Sequence, residues 1–293
     1  MRSLIKELTK GRILVSDGAW GTFLQKKGLQ PGQCPESWNI DHRKDVLAIA
    51  QSYSVLGVDM LKTNSFGGNR IKLKHFGLEG KAFEFSKAAA EISREAAGER
   101  FVLGSIGPTG KMLMMGDVSE QELCDAFSEQ ATGLAAGGAD VALIETFSAI
   151  DEAVIAINAV KKNTRLEIAC TFSFERTASG EYRSMMGVSP AEMAAAVTEA
   201  GAHIVGTNCG NGMERMIDIA AQLRAVLPAS PILIHANAGM PVVKDGATIY
   251  PETPAKTAGF VPRIIEAGAN IIGGCCGTGP QHIKAIIEAV QKG

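Results

Sequence analysis

The sequence predicts a single (β/α)8 TIM barrel spanning residues 1–293. Three observations lead there. Eight short, β-branched runs recur, each ending in a small or polar cluster and followed by a longer segment of helical period. The runs are nearly continuous in apolarity rather than alternating, as in strands buried on both faces of a parallel sheet. The length also fits, since one such barrel is typically ~250 residues, and no linker, charge block or internal repeat marks a boundary. An open doubly wound sheet is the main alternative. It would use fewer strands and place a glycine phosphate fingerprint after the first. The segment Asp17-Gly18-Ala19-Trp20-Gly21-Thr22 lacks the G-x-G-x-x-G spacing.

The expected strands are residues 13–16, 58–62, 101–105, 141–144, 166–170, 203–206, 232–235 and 270–273. The expected helices are 43–56, 81–97, 119–136, 149–161, 190–200, 213–227, 254–267 and 280–290. Asp41 is placed to cap the first of these helices. Ser119 precedes Glu122 at capping-box spacing. Pro190, Pro254 and Pro280 fall where a first helical turn accepts proline. Gly57, Gly98, Gly137, Gly201 and Gly268 follow helices as left-handed C-caps should. Two longer excursions remain, 25–40 and 175–188, the second with a turn at Ser179-Gly180.

Composition narrows the function. With 46% hydrophobic residues and a net charge of −2, the chain is no disordered segment and offers no electrostatic reason to bind nucleic acid or an anionic membrane. No stretch reaches the ~18 apolar residues of a membrane span. The amphipathic start MRSLIKELTKGR lacks the apolar core of a signal peptide. A cytoplasmic protein is expected, where thiols stay reduced. Its six cysteines then read as ligands, nucleophiles or core residues.

In such barrels the chemistry lies at the strand C-termini. Those ends carry Asp17, Thr63-Asn64, Gly104–Gly110, Glu145-Thr146-Phe147, Thr171–Phe174, Asn208-Cys209-Gly210, Asn237-Ala238-Gly239 and Cys275-Cys276. Cys209, Cys275 and Cys276 therefore converge from strands six and eight. Cysteines are often simply buried as small apolar residues. Three at one mouth match a catalytic zinc, with three protein ligands and one open position. Adjacent cysteines can both reach one metal only if the strand ends there, and the glycines at 273, 274 and 277 allow the bend. Cys34, Cys124 and Cys170 read as structural. The histidines form no H-x-H or H-E-x-x-H pattern, and His235 is read as packed rather than ligating. Asp17 and Glu145 are an acidic pair at the mouth. They either hold loop amides or meet a cationic substrate group such as an ammonium. The backbone of Gly18-Ala19-Trp20-Gly21 could receive a carboxylate. Ammonium, carboxylate and thiol together describe a thiol amino acid.

These residues resemble the homocysteine S-methyltransferase family. The likeness runs nearly end to end, through Asp17–Thr22, Thr63-Asn64-Ser65-Phe66, Gly104–Gly110, Glu145-Thr146-Phe147, Asn208-Cys209-Gly210, Asn237-Ala238-Gly239 and Gly273-Gly274-Cys275-Cys276-Gly277-Thr278. Within the family it resembles the homocysteine-binding barrel of cobalamin-dependent methionine synthase, through the run from Asn237 to Pro251. Trp20 stands where methionine is usual. The resemblance implies zinc on Cys209, Cys275 and Cys276, with homocysteine bound near Asp17, Gly18, Ala19, Glu145 and Asn237. It also implies a methyl-corrinoid donor, free or carried by a corrinoid protein or by folate and cobalamin domains. Met112, Met114, Met115, Met185 and Met186 offer adaptable apolar contact for such a donor. Betaine would need an aromatic cage, for which only Trp20, Phe66, Phe147 and Phe174 are at hand. The alternative donors for homocysteine are S-methylmethionine and betaine, and three rivals remain: a phosphate-binding isomerase or aldolase with Lys62 as Schiff-base lysine, a non-catalytic homocysteine-binding module, and a methyltransferase for another thiol.

Overall fold

The computed structural model describes residues 2–244 and 247–292. Eight parallel strands form one sheet: β1 (Leu14–Val15), β2 (Met60–Lys62), β3 (Phe101–Ile106), β4 (Val141–Phe147), β5 (Glu167–Phe172), β6 (Ile204–Gly212), β7 (Ile232–Asn237) and β8 (Ile271–Gly274). Each pairs with its sequence neighbours, and β8 returns to β1, with Leu14 opposite Ile271. The last seam, β1 to β2, is joined by the Ser16–Met60 bridge and by the Asp59 amide donating to Val15 O at 2.8 Å. The ring is thus a (β/α)8 barrel.

Helices alternate with the strands as the periodicity predicts: α1 (Arg43–Ser54), α2 (Ala82–Ala97), α3 (Glu120–Ala136), α4 (Ile150–Asn163), α5 (Pro190–Ala200) and α6 (Met213–Val226) precede a divided seventh. The expected helix 254–267 is two pieces, α7 (Pro254–Gly259) and α8 (Val261–Glu266), because Pro262 has no amide to continue the ladder. The last is α9 (Pro280–Val290). Ser119 forms the expected capping box with Glu122. Asp41 does not cap α1: it ends a short helix, Trp38–Asp41, and His42 takes the cap position. Gly137 is not left-handed either, with a φ of −82°. A Cβ there would lie 2.2 Å from Lys87 O, so this glycine admits close helix packing instead.

Side chains alternate along a strand, and the barrel interior separates into two storeys. The lower is apolar: Leu14, Met60, Leu103, Val141, Leu143, Ala169, Ile204, Leu233 and Ile271 pack as one buried cluster. An N-terminal helix, Leu4–Leu8, closes it from beneath with Leu4 and Leu8. That helix is pinned by Glu167, which accepts from the amides of Leu4 and Ile5 at 2.8 and 3.1 Å. Two residues further along, six strands turn the interior polar with Ser16, Lys62, Ser105, Glu145, Thr171 and His235, all buried, while β6 and β8 bring Gly206 and Gly273. Above lies the mouth. Two antiparallel pairs border it, Glu175–Arg176 with Tyr182–Arg183 and Val242–Lys244 with Ala247–Ile249. Among the described residues no helix is long and apolar enough to cross a membrane.

Candidate metal and substrate site

Two irregularities and one strand end build the site. The β6–β7 register slips between Asn208 and Gly212, and Cys209 lies in the slip with φ 61°. The β4–β5 register slips between Ile144 and Phe147, which places Glu145 beside Thr146 at φ 66°. Left-handed backbone is uncommon for any side chain and an outlier for a β-branched one. Both positions are tied by Asn208. Its Oδ1 accepts from the Thr146 amide at 2.8 Å and the Thr171 hydroxyl at 2.7 Å, and its Nδ2 donates to Thr146 Oγ1 at 2.7 Å. The same Nδ2 lies 3.9 Å from Cys275 Sγ.

Strand β8 ends at Gly274, so Cys275 and Cys276 lie in the turn beyond it. The turn is held from three sides. The Cys275 amide donates to Ala236 O at 2.7 Å, the Cys276 amide to Asn237 Oδ1 at 3.0 Å, and the Thr278 hydroxyl to Cys275 O at 2.5 Å. Asn237, expected near substrate, is therefore also a clamp on a cysteine.

The sulfurs of Cys209, Cys275 and Cys276 lie within 4.8 Å of one another, with Cys209 and Cys276 at 3.9 Å. Four ligands at a Zn–S distance of about 2.3 Å in tetrahedral array put sulfurs about 3.8 Å apart. The three cysteines fit that ion, all are free thiols, and each is half-buried rather than sealed. The three thiols also shift one another. A hydrogen bond with Cys275 and then burial push Cys209 up to about 12, and a bond with Cys209 and then burial push Cys276 up to about 11. For Cys275 the bond with Cys209 pulls down, but Cys276 and burial raise it to about 12. A cation would relieve this, since metal ligands must be deprotonated. It is the only such cluster among the described residues.

Asp17 and Glu145 differ more than their chemistry implies. Asp17 is fully buried. Its oxygens accept from Trp20 Nε1 at 2.8 Å, the Lys62 amide at 2.9 Å and Ser16 Oγ at 3.2 Å, and the Lys62 ammonium lies 3.7 Å away. Glu145 has one side-chain partner among the described residues, the Ser105 hydroxyl on Oε1. Burial pushes the Glu145 carboxyl above its usual range, against the pull of Lys62. Trp20 turns its indole N–H onto Asp17 rather than across the mouth. The Ala19 amide is engaged with Thr278 O at 2.8 Å. The amides of Gly18, Trp20 and Gly21 have no acceptor among the described residues.

Residues that sequence reasoning left out or placed elsewhere complete the site. Asn208 went unread as the tie. Tyr250, which packs against Gly277 in the turn that carries the cysteine pair, was legible only as part of a resemblance. Lys62 donates to Gly274 O at 2.7 Å. Burial opposes its charge, but Asp17 and then Glu145 hold its pKa above the ordinary lysine value. With its ammonium bound to Gly274 O and paired with Asp17 in a side chain 6% exposed, Lys62 is not presented as the free amine that a Schiff-base mechanism needs. His235 is fully buried beneath the mouth, and its ring nitrogens have no partner among the described residues. Burial, and then Lys62, hold it well below the usual histidine range, hence neutral. Cys34, Cys124 and Cys170 lie apart from the cluster: Cys34 and Cys170 are buried, and Cys124 packs against the core.

Comparison with known proteins agrees with this geometry. Over residues 14–290 the chain matches the model of the homocysteine S-methyltransferase family. It is 31% identical to methionine synthase of Mycobacterium leprae (strain TN) over 96% of its own length and 24% of that protein's. It is 31% identical to methionine synthase of Mycobacterium tuberculosis (strain ATCC 25618 / H37Rv), over 95% and 25%. The chain thus spans about a quarter of these relatives. The homocysteine methyltransferase MmuM from Escherichia coli shares the fold, with a TM-score of 0.78 for the oxidized form (22% identity, 98% and 99% coverage) and 0.77 for the metallated form (23%, 96% and 97%). The chain belongs to the homocysteine S-methyltransferase family.

Proposed function

We propose that this barrel is a zinc-dependent enzyme that activates homocysteine as a thiolate for methylation to methionine. The observation that carries the reading is the convergence of three sulfurs, at zinc spacing, on a mouth that also holds the underbonded Glu145 carboxylate. Cys209, Cys275 and Cys276 would hold the ion. Bound there, zinc supplies a Lewis acid that makes a substrate thiol nucleophilic near neutral pH.

The protein's own groups do the rest. Glu145 Oε2 takes the substrate ammonium. The open amides of Gly18, Trp20 and Gly21 receive its carboxylate. Asn237 and Asn208 keep the cysteine-bearing segments in register. The homocysteine thiol releases its proton to solvent water, and its sulfur then forms a bond to the methyl carbon. The donor leaves with the pair that bonded it to that carbon. No oxyanion develops, so orientation and deprotonation are the barrel's contribution.

For the donor we favour a methyl-corrinoid, free or presented by a corrinoid protein or by folate and cobalamin domains. Phe147 and Phe174 are fully buried and Trp20 is committed to Asp17, so Phe66 is the one exposed member of the four aromatics that could cage betaine. Met112, Met114, Met115, Met185 and Met186 are all exposed on loops at the strand C-terminal end. The expected setting is the cytoplasm, where thiols stay reduced. The test is single-turnover methylation of homocysteine with methylcobalamin, a methylated corrinoid protein, S-methylmethionine and betaine, with metal content measured on the same sample. Stoichiometric zinc and transfer from a corrinoid donor are expected. Transfer from betaine or S-methylmethionine alone would overturn the donor, and protein without zinc after reconstitution would overturn the mechanism.

A further inference from the structure

The buried ammonium of Lys62 has no place in the chemistry above. It ends β2 and, like Met60 two residues earlier, faces the barrel interior. Its side chain is 6% exposed and that of Asp17 is 0% exposed. Nζ donates to Gly274 O at 2.7 Å and lies 3.7 Å from Asp17 Oδ1. Gly274 is the residue immediately before the paired cysteines. The Lys62 amide also donates to Asp17 Oδ2 at 2.9 Å. Side chain and backbone of one lysine therefore grip both oxygens of Asp17 and the strand end that carries Cys275.

The Asp17 carboxylate accepts from Ser16 Oγ, Trp20 Nε1 and the Lys62 amide, and the Lys62 ammonium stands 3.7 Å off as its ion-pair partner. Burial pushes the Asp17 carboxyl up as it does Glu145, against the pull of Lys62, Trp20 and Ser16; the two differ in partners, since both Asp17 oxygens have donors and a cation beside them. Glu145 is placed otherwise. Its Oε1 accepts from Ser105, and its Oε2 is neither bonded nor among the sealed orphan atoms of the described residues, so in a residue 7% exposed this oxygen keeps some solvent contact. Two carboxylates of equal formal charge thus have unequal capacity for a substrate cation.

We infer that Lys62 is a positioning and specificity-determining residue: its ammonium occupies Asp17, braces Gly274 behind the cysteine pair, and leaves Glu145 as the carboxylate that recognises the substrate amino group. This deepens the homocysteine reading and rests on it for the identity of the substrate. Asp17 then acts through Lys62 and Trp20 rather than on the substrate.

The experiment compares calorimetric binding of homocysteine and of 4-mercaptobutanoate, which lacks the amino group, to the zinc-loaded full chain. A charge-assisted hydrogen bond predicts that wild type prefers homocysteine by about 10- to 100-fold. Glu145→Gln should collapse that ratio to near unity. Asp17→Asn should leave it within about threefold, and Lys62→Met, which frees a second carboxylate, should keep or raise it. A collapse in Asp17→Asn as large as that in Glu145→Gln would overturn the inference, as would a fall in Lys62→Met. A thermal double-mutant cycle reads the pair without any thiol. Lys62→Met strands the Asp17 charge, so the double variant Lys62→Met/Asp17→Asn should melt higher than Lys62→Met alone, or fold where Lys62→Met does not. Additive losses would refute the pairing. Should wild type bind neither thiol, the homocysteine reading falls, and the cycle still decides whether Lys62 holds Asp17.

Discussion

Asn208 gives the most direct test of how the mouth is held. It is fully buried, and its one amide group ties the β4 slip, β5 and the Cys275 sulfur. Asn208→Ala removes an acceptor from the Thr146 amide and the Thr171 hydroxyl, and an amide's volume from a packed layer. Each stranded buried polar group costs about 1–3 kcal/mol, and a cavity adds to that. The expected total is about 3–5 kcal/mol, a large share of the roughly 5–15 kcal/mol that keeps a domain folded. Thr171→Val removes one of these bonds and keeps the shape, so it should cost about 1 kcal/mol. Urea unfolding of the zinc-free chain measures both. Competition with a chromophoric chelator should also show weaker zinc binding in Asn208→Ala, because Thr146 and Cys275 lose a shared restraint. A loss below about 1 kcal/mol with unchanged zinc affinity would show that the two strand irregularities hold themselves, and the reasoning would fail.

Three further outcomes are expected. Burial raises the Glu145 pKa in the folded chain, so its charge destabilises the fold above that raised value and costs nothing below the usual 4.5; Glu145→Gln should therefore raise the melting temperature at pH 7 to 8, with the gain shrinking as pH falls towards 4.5, and a pH-independent difference would contradict the assignment. Cys209 has a φ of 61°, so zinc-free Cys209→Gly should be about 0.5–1 kcal/mol more stable than Cys209→Ser although both lose the metal; equal stability would mean that the left-handed backbone stores no strain. Leu4→Ala should cost about 2–5 kcal/mol by opening the floor of the barrel, while thiol affinity of the folded fraction stays unchanged, as titration against unfolding curves would show.

The sequence made the barrel legible because burial on both faces leaves an unmistakable apolar run, and proline and glycine mark where helices begin and end. Strand ends were less legible. An apolar run stops at its first polar residue, yet β4 and β6 continue through Glu145-Thr146 and Thr207-Asn208 to Phe147 and Gly212. These polar residues stay in the sheet because they line the mouth, so the segments that carry the site are those that hydropathy truncates. The three cysteines could be brought together by topology alone, since all C-terminal strand ends share one face. What topology could not supply was the partition between Asp17 and Glu145. Spacing makes them equivalent, and they differ by a lysine three-dimensionally between one carboxylate and Gly274. The division of the seventh helix was readable in principle from Pro262 within an otherwise helical stretch. Asp41 misled because a cap is a backbone conformation, and Trp38–Asp41 had already taken that residue into a helix.

A regular strand delivers every second side chain to the barrel interior, which is too sparse for a site that needs neighbours. Asn208 points inward with the β6 alternation, so Cys209 should point away. The slip and the left-handed backbone at Cys209 cancel that alternation and bring ligand and tie to the same side. Strand β8 meets the same difficulty differently, by ending at Gly274 and letting a turn present both cysteines. In β4 the irregularity follows Glu145 and carries Thr146 into reach of Asn208. The left-handed residues in β4 and β6, Thr146 and Cys209, each cost roughly 1–3 kcal/mol of backbone strain, and both lie on the polar side of the interior. The apolar storey below, sealed by Leu4 and Leu8, has no positive φ outside glycine and no polar side chain in its cluster. Fold stability and site geometry are thus assigned to different depths of one barrel. A cysteine exchanged at the mouth should therefore leave the lower core intact, whereas Asn208, which ties β4, β5 and β6 together there, should not be replaceable at so little cost.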